Sequence, residues 1–157
     1  MEIRPINKSD LFWLESQWIE TWGANFLVSK GKKIHISEQR GYVVTEISVP
    51  VGFITFQVSG NEMEITSLLA KREQAGIGKM LIDQVKETAK ISGVNRLWLV
   101  TTNDNTHALA FYQKNSFSLC GIRQNIIDEY RKLKPEIPVT GLNGIPIRDE
   151  IELEYRI

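Results

Sequence analysis

The sequence predicts an α+β fold: a mixed, mostly antiparallel sheet of six or seven strands with a central β-α-β unit, flanked by helices. Residues 41–69 hold three strand-like runs whose connections are too short for crossovers, which indicates an antiparallel meander. Residues 76–91 then repeat apolar side chains at helical spacing, and an apolar strand follows at 95–101. The last strand of the meander, this helix and the next strand therefore form one right-handed β-α-β unit.

The N-terminal part of the chain is predicted to hold a short strand, a helix and the meander. Glu2–Ile6 alternates as a strand does, and Ser9-Asp10 can cap a helix from Leu11 to about Trp22. Residues 24–40 stay ambiguous, because their basic stretch could be a turn before an apolar tripeptide. The meander strands are expected at residues 41–47, 51–58 and 62–69.

The C-terminal part alternates between helix and strand. Ser92-Gly93 ends the central helix, and the cap-rich run at 102–105 starts another that continues to about Asn115. A strand at 117–127, a short helix at 128–133, a loop at 135–148 with three prolines and two glycines, and a final strand at 150–157 complete the prediction. In that last strand Ile151, Leu153, Tyr155 and Ile157 are expected to face one way.

Composition narrows the functional classes. The 157 residues predict one domain over residues 1–157. Lys and Arg number 19, as do Asp and Glu, so the basic excess typical of nucleic-acid binding is absent. Cys120 is the single cysteine, which excludes an intrachain disulfide and is interpreted as a core residue of a protein in a reducing cytoplasm. No signal peptide or membrane-spanning run is recognisable, so we expect a cytoplasmic protein without membrane association.

A glycine turn between the meander and the central helix is the most informative segment. Residues 76–78 (Gly-Ile-Gly) let the backbone approach a ligand, and the first N–H groups of the helix then point at an anion. Lys71, Arg72 and Lys79 add positive charge, so a pyrophosphate is the natural ligand. The segment is no P-loop, and Leu81 replaces the third glycine of a dinucleotide fingerprint. A plain helix start with permissive glycines remains the alternative.

A second segment follows the next strand. On a helix, Asn105, Ala108, Phe111 and Tyr112 lie along one face. Asn105 can donate and accept through its amide, and Tyr112 carries a hydroxyl at the far end of the helix. Taken alone, such a stripe is more often part of the core than of a binding site.

Taken together, the two segments resemble the GNAT family of N-acetyltransferases. The first family motif, Gln/Arg-x-x-Gly-x-Gly/Ala, corresponds to residues 73–78, and the second, Asn-x-x-Ala-x-x-Phe/Leu-Tyr-x-x-x-Gly-Phe, corresponds to residues 105–117. Two positions depart from the pattern: Glu73 replaces Gln or Arg, which could weaken coenzyme A binding, and Ser116 replaces Gly. The runs at 101–105 and 134–150 also look like a recurring subgroup of uncharacterised bacterial members.

The resemblance implies an enzyme that transfers acetyl from acetyl-CoA directly to a primary amine. It implies Tyr112 as the general acid, the backbone N–H around Leu68 as the oxyanion donor, and Asn105 near the cofactor arm. A base must deprotonate the amine, and Glu64, followed by Glu62, is the candidate. The implied cofactor-binding residues are Leu68, Leu69, Gln74, Ala75, Gly76, Ile77, Gly78, Lys79, Asn105 and Tyr112.

The resemblance leaves several points open. The acceptor is a small-molecule or peptide amine of unknown identity, the protein is a monomer or homodimer, and no metal is expected, since His35 and His107 do not form a ligand pair. Two other classes of function compete: a non-catalytic acetyl-CoA-binding regulatory or sensor module, and a generic nucleotide-binding protein.

Overall fold

Nine strands and four helices make up the chain in a computed structural model that describes residues 1–157. The strands are β1 (Glu2–Pro5), β2 (Phe26–Ser29), β3 (Lys32–His35), β4 (Arg40–Glu46), β5 (Val49–Ser59), β6 (Glu62–Ala70), β7 (Arg96–Thr102), β8 (Ser118–Arg123) and β9 (Glu150–Arg156). The helices are α1 (Leu11–Trp22), α2 (Ile77–Ser92), α3 (Thr106–Lys114) and α4 (Ile127–Leu133). None of these helices is both long and apolar enough to cross a membrane.

The predicted sheet is confirmed. Seven strands lie in the order β1-β4-β5-β6-β7-β9-β8, and β2 and β3 form a separate hairpin. The meander β4-β5-β6 is antiparallel, whereas β6 and β7 run parallel, with Glu62–Glu64 opposite Arg96–Trp98. Because α2 connects these two parallel strands, the central β-α-β unit is present as expected.

The chain forms two compact units. The first consists of residues 1–11, 37–98 and 156–157, and the second of residues 12–36 and 99–155. The core of the first unit includes Val43, Phe53, Ile54, Met63, Leu81 and Val85, all with no exposed surface. In the second unit, Ile127, Tyr130 and Ile147 form a buried cluster against which Val28, Ile126 and Ile137 pack. A single domain over residues 1–157 stays a prediction.

The ambiguous stretch at 24–40 contains a β-hairpin that the sequence pattern does not reveal. β2 and β3 pair antiparallel around Lys30 and Gly31, whose φ angles are +48° and +76°. Two successive positive φ values are typical of a type I′ hairpin turn, in which Asn-Gly or Gly-Gly is the usual signal. Here lysine occupies the first turn position, so the usual sequence signal is absent. The short strands also lack a strict alternation of apolar and polar residues.

Three smaller predictions are wrong. The cap before α1 is Asn7 rather than Ser9-Asp10: Asn7 accepts from the backbone of Ser9, and the Asp10 side chain accepts from the backbone of Asn7, around a single 3-10 turn. The strand expected at 117–127 ends at Arg123, because Asn125, at φ +57°, leaves extended geometry. Cys120 is exposed instead of lying in the core.

The final strand is buried on its polar side as well as its apolar side. Glu150 and Glu152 of β9 are 2% and 7% exposed. Arg123 reaches both carboxylates from β8, and the Tyr130 hydroxyl donates to Glu150 at 2.8 Å. Ion pairing and hydrogen bonding therefore compensate for the burial of two charges that the sequence alternation alone does not reveal.

Candidate active site

The glycine turn has the geometry of an anion cradle. Gln74 and Gly76 both lie in the left-handed region, with φ angles of +61° and +75°. A turn of this kind aims successive backbone N–H groups into a concavity that suits anions. Gly76 is also the N-cap of α2 and makes no side-chain cap bond, so the first N–H groups of a 16-residue helix are available to a ligand. A Cβ added at Gly76 would meet no atom within 4 Å, so this side of the turn is open.

The basic residues around the turn are held by acidic neighbours. Arg72 pairs with Glu46 and Lys79 pairs with Asp83, each at 2.5 Å, and all four side chains are well exposed. Exposed pairs of this kind contribute at most about 1 kcal/mol. They can therefore be exchanged for contacts to phosphate.

Gly52 of β5 positions the turn and was not recognised from the sequence. A Cβ there would lie 2.5 Å from Cγ2 of Ile77 and 2.9 Å from the carbonyl oxygen of Leu69. Glycine is thus required for the first turn of α2 to pack directly on the sheet. Leu68 and Leu69 lie at the end of β6, opposite Ile54 and Phe53, immediately before the turn.

An open depression of about 600 Å³ extends from the turn along the exposed side of α2. Gly76, Lys79 and Met80 line the end nearest the turn, while Asp83, Gln84 and Glu87 line the remainder. The carboxylates disfavour phosphate at the far end, so an anion is expected at the Gly76 end.

The carboxylate candidates on β6 lie in different environments. Glu64 is buried, with 6% of its surface exposed, and Oε2 accepts a hydrogen bond from Nε2 of Gln57 at 2.9 Å. Glu62 is half-exposed and pairs with Arg96 at 3.4 Å. A buried carboxylate that is oriented by an amide suits a base better than one already paired with a guanidinium, which favours Glu64 as the sequence did.

Helix α3 carries the second pair of candidates. Asn105 is the N-cap of this helix, and its Oδ1 atom accepts from the N–H of Ala108 at 3.1 Å. The Nδ2 group of Asn105 can donate a hydrogen bond to a ligand. Tyr112 packs edge-on against Phe111 and Phe117, with ring centroids 5.2 and 5.5 Å away. Burial raises the pKa of the Tyr112 hydroxyl above its usual range, which keeps it protonated. A neutral phenol is the form that a general acid requires.

The two departures from the family motifs are both exposed. Glu73 lies in the turn immediately before Gln74. Ser116 has a φ of +70°, which explains why glycine is usual at this position. The structure therefore accommodates serine here at the expense of backbone strain rather than through a changed fold.

The structure places the predicted residues in two groups. Glu64, Leu68, Leu69 and the turn from Gln74 to Lys79 belong to the first unit. Asn105 and Tyr112 belong to the second. Among these residues, Asn105 makes a contact that the sequence leads one to expect, since its side chain caps α3. No group of three or more His, Cys, Asp or Glu side chains is arranged to hold a metal ion.

Comparisons with known proteins place this geometry in a family. The model of the acetyltransferase (GNAT) family matches residues 9–117. The uncharacterised protein YdhI of Bacillus subtilis strain 168 is 38% identical over 152 residues, covering 96% of this chain and 95% of that protein. The uncharacterised protein YxbD of the same organism is 38% identical over 133 residues, covering 84% of both chains.

Solved structures share the fold. The IAA acetyltransferase from Bacillus cereus ATCC 14579 superposes with a TM-score of 0.73 at 23% identity, covering 99% of each chain. A GNAT family acetyltransferase from Elizabethkingia anophelis with acetyl-CoA bound also gives a TM-score of 0.73 at 23% identity, covering 99% of this chain and 97% of that one. The family match spans more than half of the sequence and includes both motifs at 73–78 and 105–117. This chain therefore belongs to the GNAT family of acetyltransferases.

Proposed function

We propose that this protein is an acetyl-CoA-dependent N-acetyltransferase that transfers an acetyl group directly to a primary amine. The turn at 74–76 carries the proposal, because two left-handed residues precede a long helix that no side chain caps. A pyrophosphate fits such a cradle, and Lys79 lies at its edge. Membership of the family and the acetyl-CoA bound in the Elizabethkingia structure support the same cofactor.

Each proposed role follows from what the side chain can do. When bound, acetyl-CoA supplies an activated acetyl thioester. Glu64 accepts the proton of the attacking amine, directly or through one water, because a primary amine is protonated at neutral pH. The backbone N–H of Leu68 donates to the developing oxyanion. Tyr112 donates its hydroxyl proton to the departing sulfur, consistent with the raised pKa that keeps the phenol neutral.

The acceptor is proposed only as a class. Family members act on amines. The segments expected on the acceptor side, near residues 11–22, 24–40 and 128–148, are mixed in charge, so neither a polycation nor a strongly acidic substrate is favoured. A small-molecule or peptide amine, a monomeric or homodimeric state and a cytoplasmic location remain predictions from the sequence.

A matched pair of glycines tests the cofactor site. Gly76 and Gly93 have nearly equal φ angles, +75° and +73°, and an added Cβ would meet nothing within 4 Å at either position. Aspartate introduces the same backbone strain at both, but only at position 76 does it add negative charge to the cradle. We expect calorimetry to show coenzyme A affinity falling at least tenfold in Gly76→Asp and staying near wild type in Gly93→Asp. Equal affinities in the two variants would show that the cradle is not the binding site.

Turnover separates the enzyme from the competing classes of function. An acetyl-transfer screen over amines, peptides and protein N-termini, with detection of free thiol, is expected to reveal activity. Coenzyme A binding without turnover on any acceptor would favour the regulatory or sensor module. A thermal-shift comparison of coenzyme A, ATP and NAD tests the generic nucleotide-binding alternative, since a ligand at 100 times its Kd stabilises by about 2.7 kcal/mol.

A further inference from the structure

Six polar side chains of the first unit form a continuous hydrogen-bond chain that ends on Glu64. The bonds join Ser67 to Thr55 at 2.5 Å and Thr55 to Thr66 at 2.7 Å. Thr66 then bonds to Gln39 at 2.7 Å, Gln39 to Gln57 at 3.2 Å, and Gln57 to Glu64 at 2.9 Å. These residues lie on β5, on β6 and just before β4, so only the folded sheet brings them together.

The direction of every bond in this chain is determined. Nε2 of Gln57 donates to the Glu64 carboxylate, and its Oε1 accepts from Nε2 of Gln39. The hydroxyl of Thr66 donates to Oε1 of Gln39. A hydroxyl has one proton, so Thr55 must donate to Thr66, and Ser67 must donate to Thr55. All five bonds therefore point the same way, toward Glu64.

A one-way chain favours a charged end. Each donor in a chain of hydrogen bonds polarises the next, so the last donor, Gln57, binds an ionised carboxylate more strongly than an isolated amide would. If Glu64 took up a proton on Oε1, Oε2 would accept from Gln57 only as a neutral carbonyl oxygen, and the charge-assisted part of that bond would be lost. The chain thus opposes protonation of Glu64.

The chain lies on the face of the sheet opposite α2. Tyr42 of β4 bonds to Thr88 of α2 and packs on Phe56, so Gln57, the next residue on β5, faces away from the helix. Glu64 pairs with Gln57 in register and shares that face. β5 carries no titratable side chain.

The charged side chains on the strands next to Glu64 lie on different faces of the sheet. On β7, Arg96 lies two residues before Trp98, the residue opposite Glu64, and is paired with Glu62 of β6. On β4, Arg40 and Tyr42 lie on the α2 face beside Phe56, and Glu46 is paired with Arg72. Among the charged residues of β4, β6 and β7 in this unit, Arg96 and Glu62 therefore lie on the Glu64 side of the sheet, and they pair with each other.

We propose that the chain from Ser67 to Gln57 is a positioning device that keeps Glu64 ionised and oriented as the base of the acetyl transfer, with Gln57 and Gln39 as positioning residues. This inference rests on the base assignment in the proposed function. The proposal adds positioning residues that act only through Glu64. They lie on other segments of the chain, so no local sequence pattern connects them with Glu64.

The test follows the ionisation of Glu64 itself. Carbon-13 NMR of the glutamate side-chain carboxyls, with the Glu64 signal assigned by its loss in Glu64→Gln, gives a titration midpoint that does not depend on turnover. Gln57→Met removes the last donor, and Thr66→Val removes a hydroxyl three bonds from Glu64 while keeping its shape. Tyr42→Phe is the control, because it removes a part-buried hydroxyl bond on the other face of the same sheet.

We expect the Glu64 midpoint to move to higher pH by roughly one pH unit in Gln57→Met, because the hydrogen bond that is lost favours the ionised carboxylate. A smaller shift in the same direction is expected in Thr66→Val, and none in Tyr42→Phe. The acidic limb of kcat/KM against pH should move with the midpoint.

Two results would overturn the proposal: an unchanged midpoint in Gln57→Met, or a Thr66→Val midpoint equal to that of Tyr42→Phe. Failure of the proposed function has a different signature. In that case wild type transfers no acetyl group, or Glu64→Gln keeps full turnover, while the NMR midpoints still respond to the chain.

Discussion

Asp104 Oδ2 accepts a hydrogen bond from the backbone N–H of Leu142 at 3.0 Å, so a residue two positions after β7 holds a loop 38 positions further along the chain. Its other oxygen accepts from the Thr102 hydroxyl. A Cβ at Gly141 would lie only 2.1 Å from Oδ2 of Asp104, so this close approach requires glycine. The loop at 135–148 is thus anchored rather than mobile.

The first prediction tests this anchor with Gly141→Ala. The added methyl group must displace Asp104 from the Leu142 amide, and overpacking of this kind destabilises by about 1–3 kcal/mol. Denaturant unfolding should show that loss, and hydrogen exchange should show less protection at Leu142. Gly121→Ala is the matched control, because the nearest atom to its new Cβ is at 3.8 Å. Equal stability of the two variants would mean that Asp104 is not fixed in place.

The anchor illustrates what the sequence does and does not reveal. The run at 102–105 was correctly predicted to start a helix, because capping is a local property. Asn103 and Asp104 have a second function, since they bind backbone groups at 142–149. No local pattern records a partner some 40 residues away, so the link between the two segments becomes visible only in the fold.

The same distinction applies to the site. The turn at 74–78 and Tyr112 could be predicted as site residues because each belongs to a short motif, one on a strand-to-helix connection and one on a helix. The role of Gly52 depends on contact with Ile77, and the partners of Glu64 come from three separate segments. The meander was predictable because alternation and short turns define it, whereas the hairpin at β2 and β3 has neither strict alternation nor the usual turn residues.

The second prediction concerns Ser116, whose φ of +70° is unfavourable for a residue with a side chain. Ser116→Gly is expected to raise the free energy of unfolding by about 1 kcal/mol, because the left-handed conformation costs other residues about 1–2 kcal/mol. Ser118→Gly, on neighbouring strand β8, should instead lower it, since glycine weakens an extended strand. A Ser116→Gly variant no more stable than wild type would show that the strain is relieved in another way.

The third prediction concerns stability at low pH. Hydrogen bonds from the Arg4 guanidinium, at 2.7 and 2.8 Å, lower the pKa of the Asp10 carboxyl, helped by the backbone N–H of Asn7. A lowered folded pKa gives stability that is fully present above the unfolded pKa and is lost as pH falls through the folded value. Asp10→Asn should therefore be less stable than wild type by about 1–3 kcal/mol at pH 7.

That difference should shrink as the pH falls below about 4, because Asp10 then takes up a proton in the unfolded chain before it does so in the folded protein. Chemical unfolding at pH 7, 5, 4 and 3 measures it. Asp128→Asn provides the control, because Asp128 is highly exposed in its pair with Arg131 and should contribute little at any pH. A gap between wild type and Asp10→Asn that stayed constant from pH 7 to 3 would contradict the assignment.

The last prediction concerns Tyr112. If its hydroxyl protonates the departing sulfur, Tyr112→Phe removes an interaction of the transition state but keeps the ring that packs against Phe111 and Phe117. Turnover should fall by about 10²–10⁴-fold, the usual range for general acid–base catalysis. The KM for acetyl-CoA should change little, since binding rests on the turn at 74–79.

The pH profile of Tyr112→Phe provides an independent measurement. Because burial raises the pKa of the Tyr112 hydroxyl, the phenol stays protonated through the usual assay range. The wild-type rate should therefore not decline near pH 10 through ionisation of Tyr112, so wild type and Tyr112→Phe should have the same profile there. A solvent-exposed tyrosine would ionise near pH 10. With chemistry shown to be rate-limiting, a variant that keeps more than about half of wild-type turnover would exclude Tyr112 as the acid. In that case its ring would serve only to pack α3 against β8 and β9 through Phe117 and Tyr155.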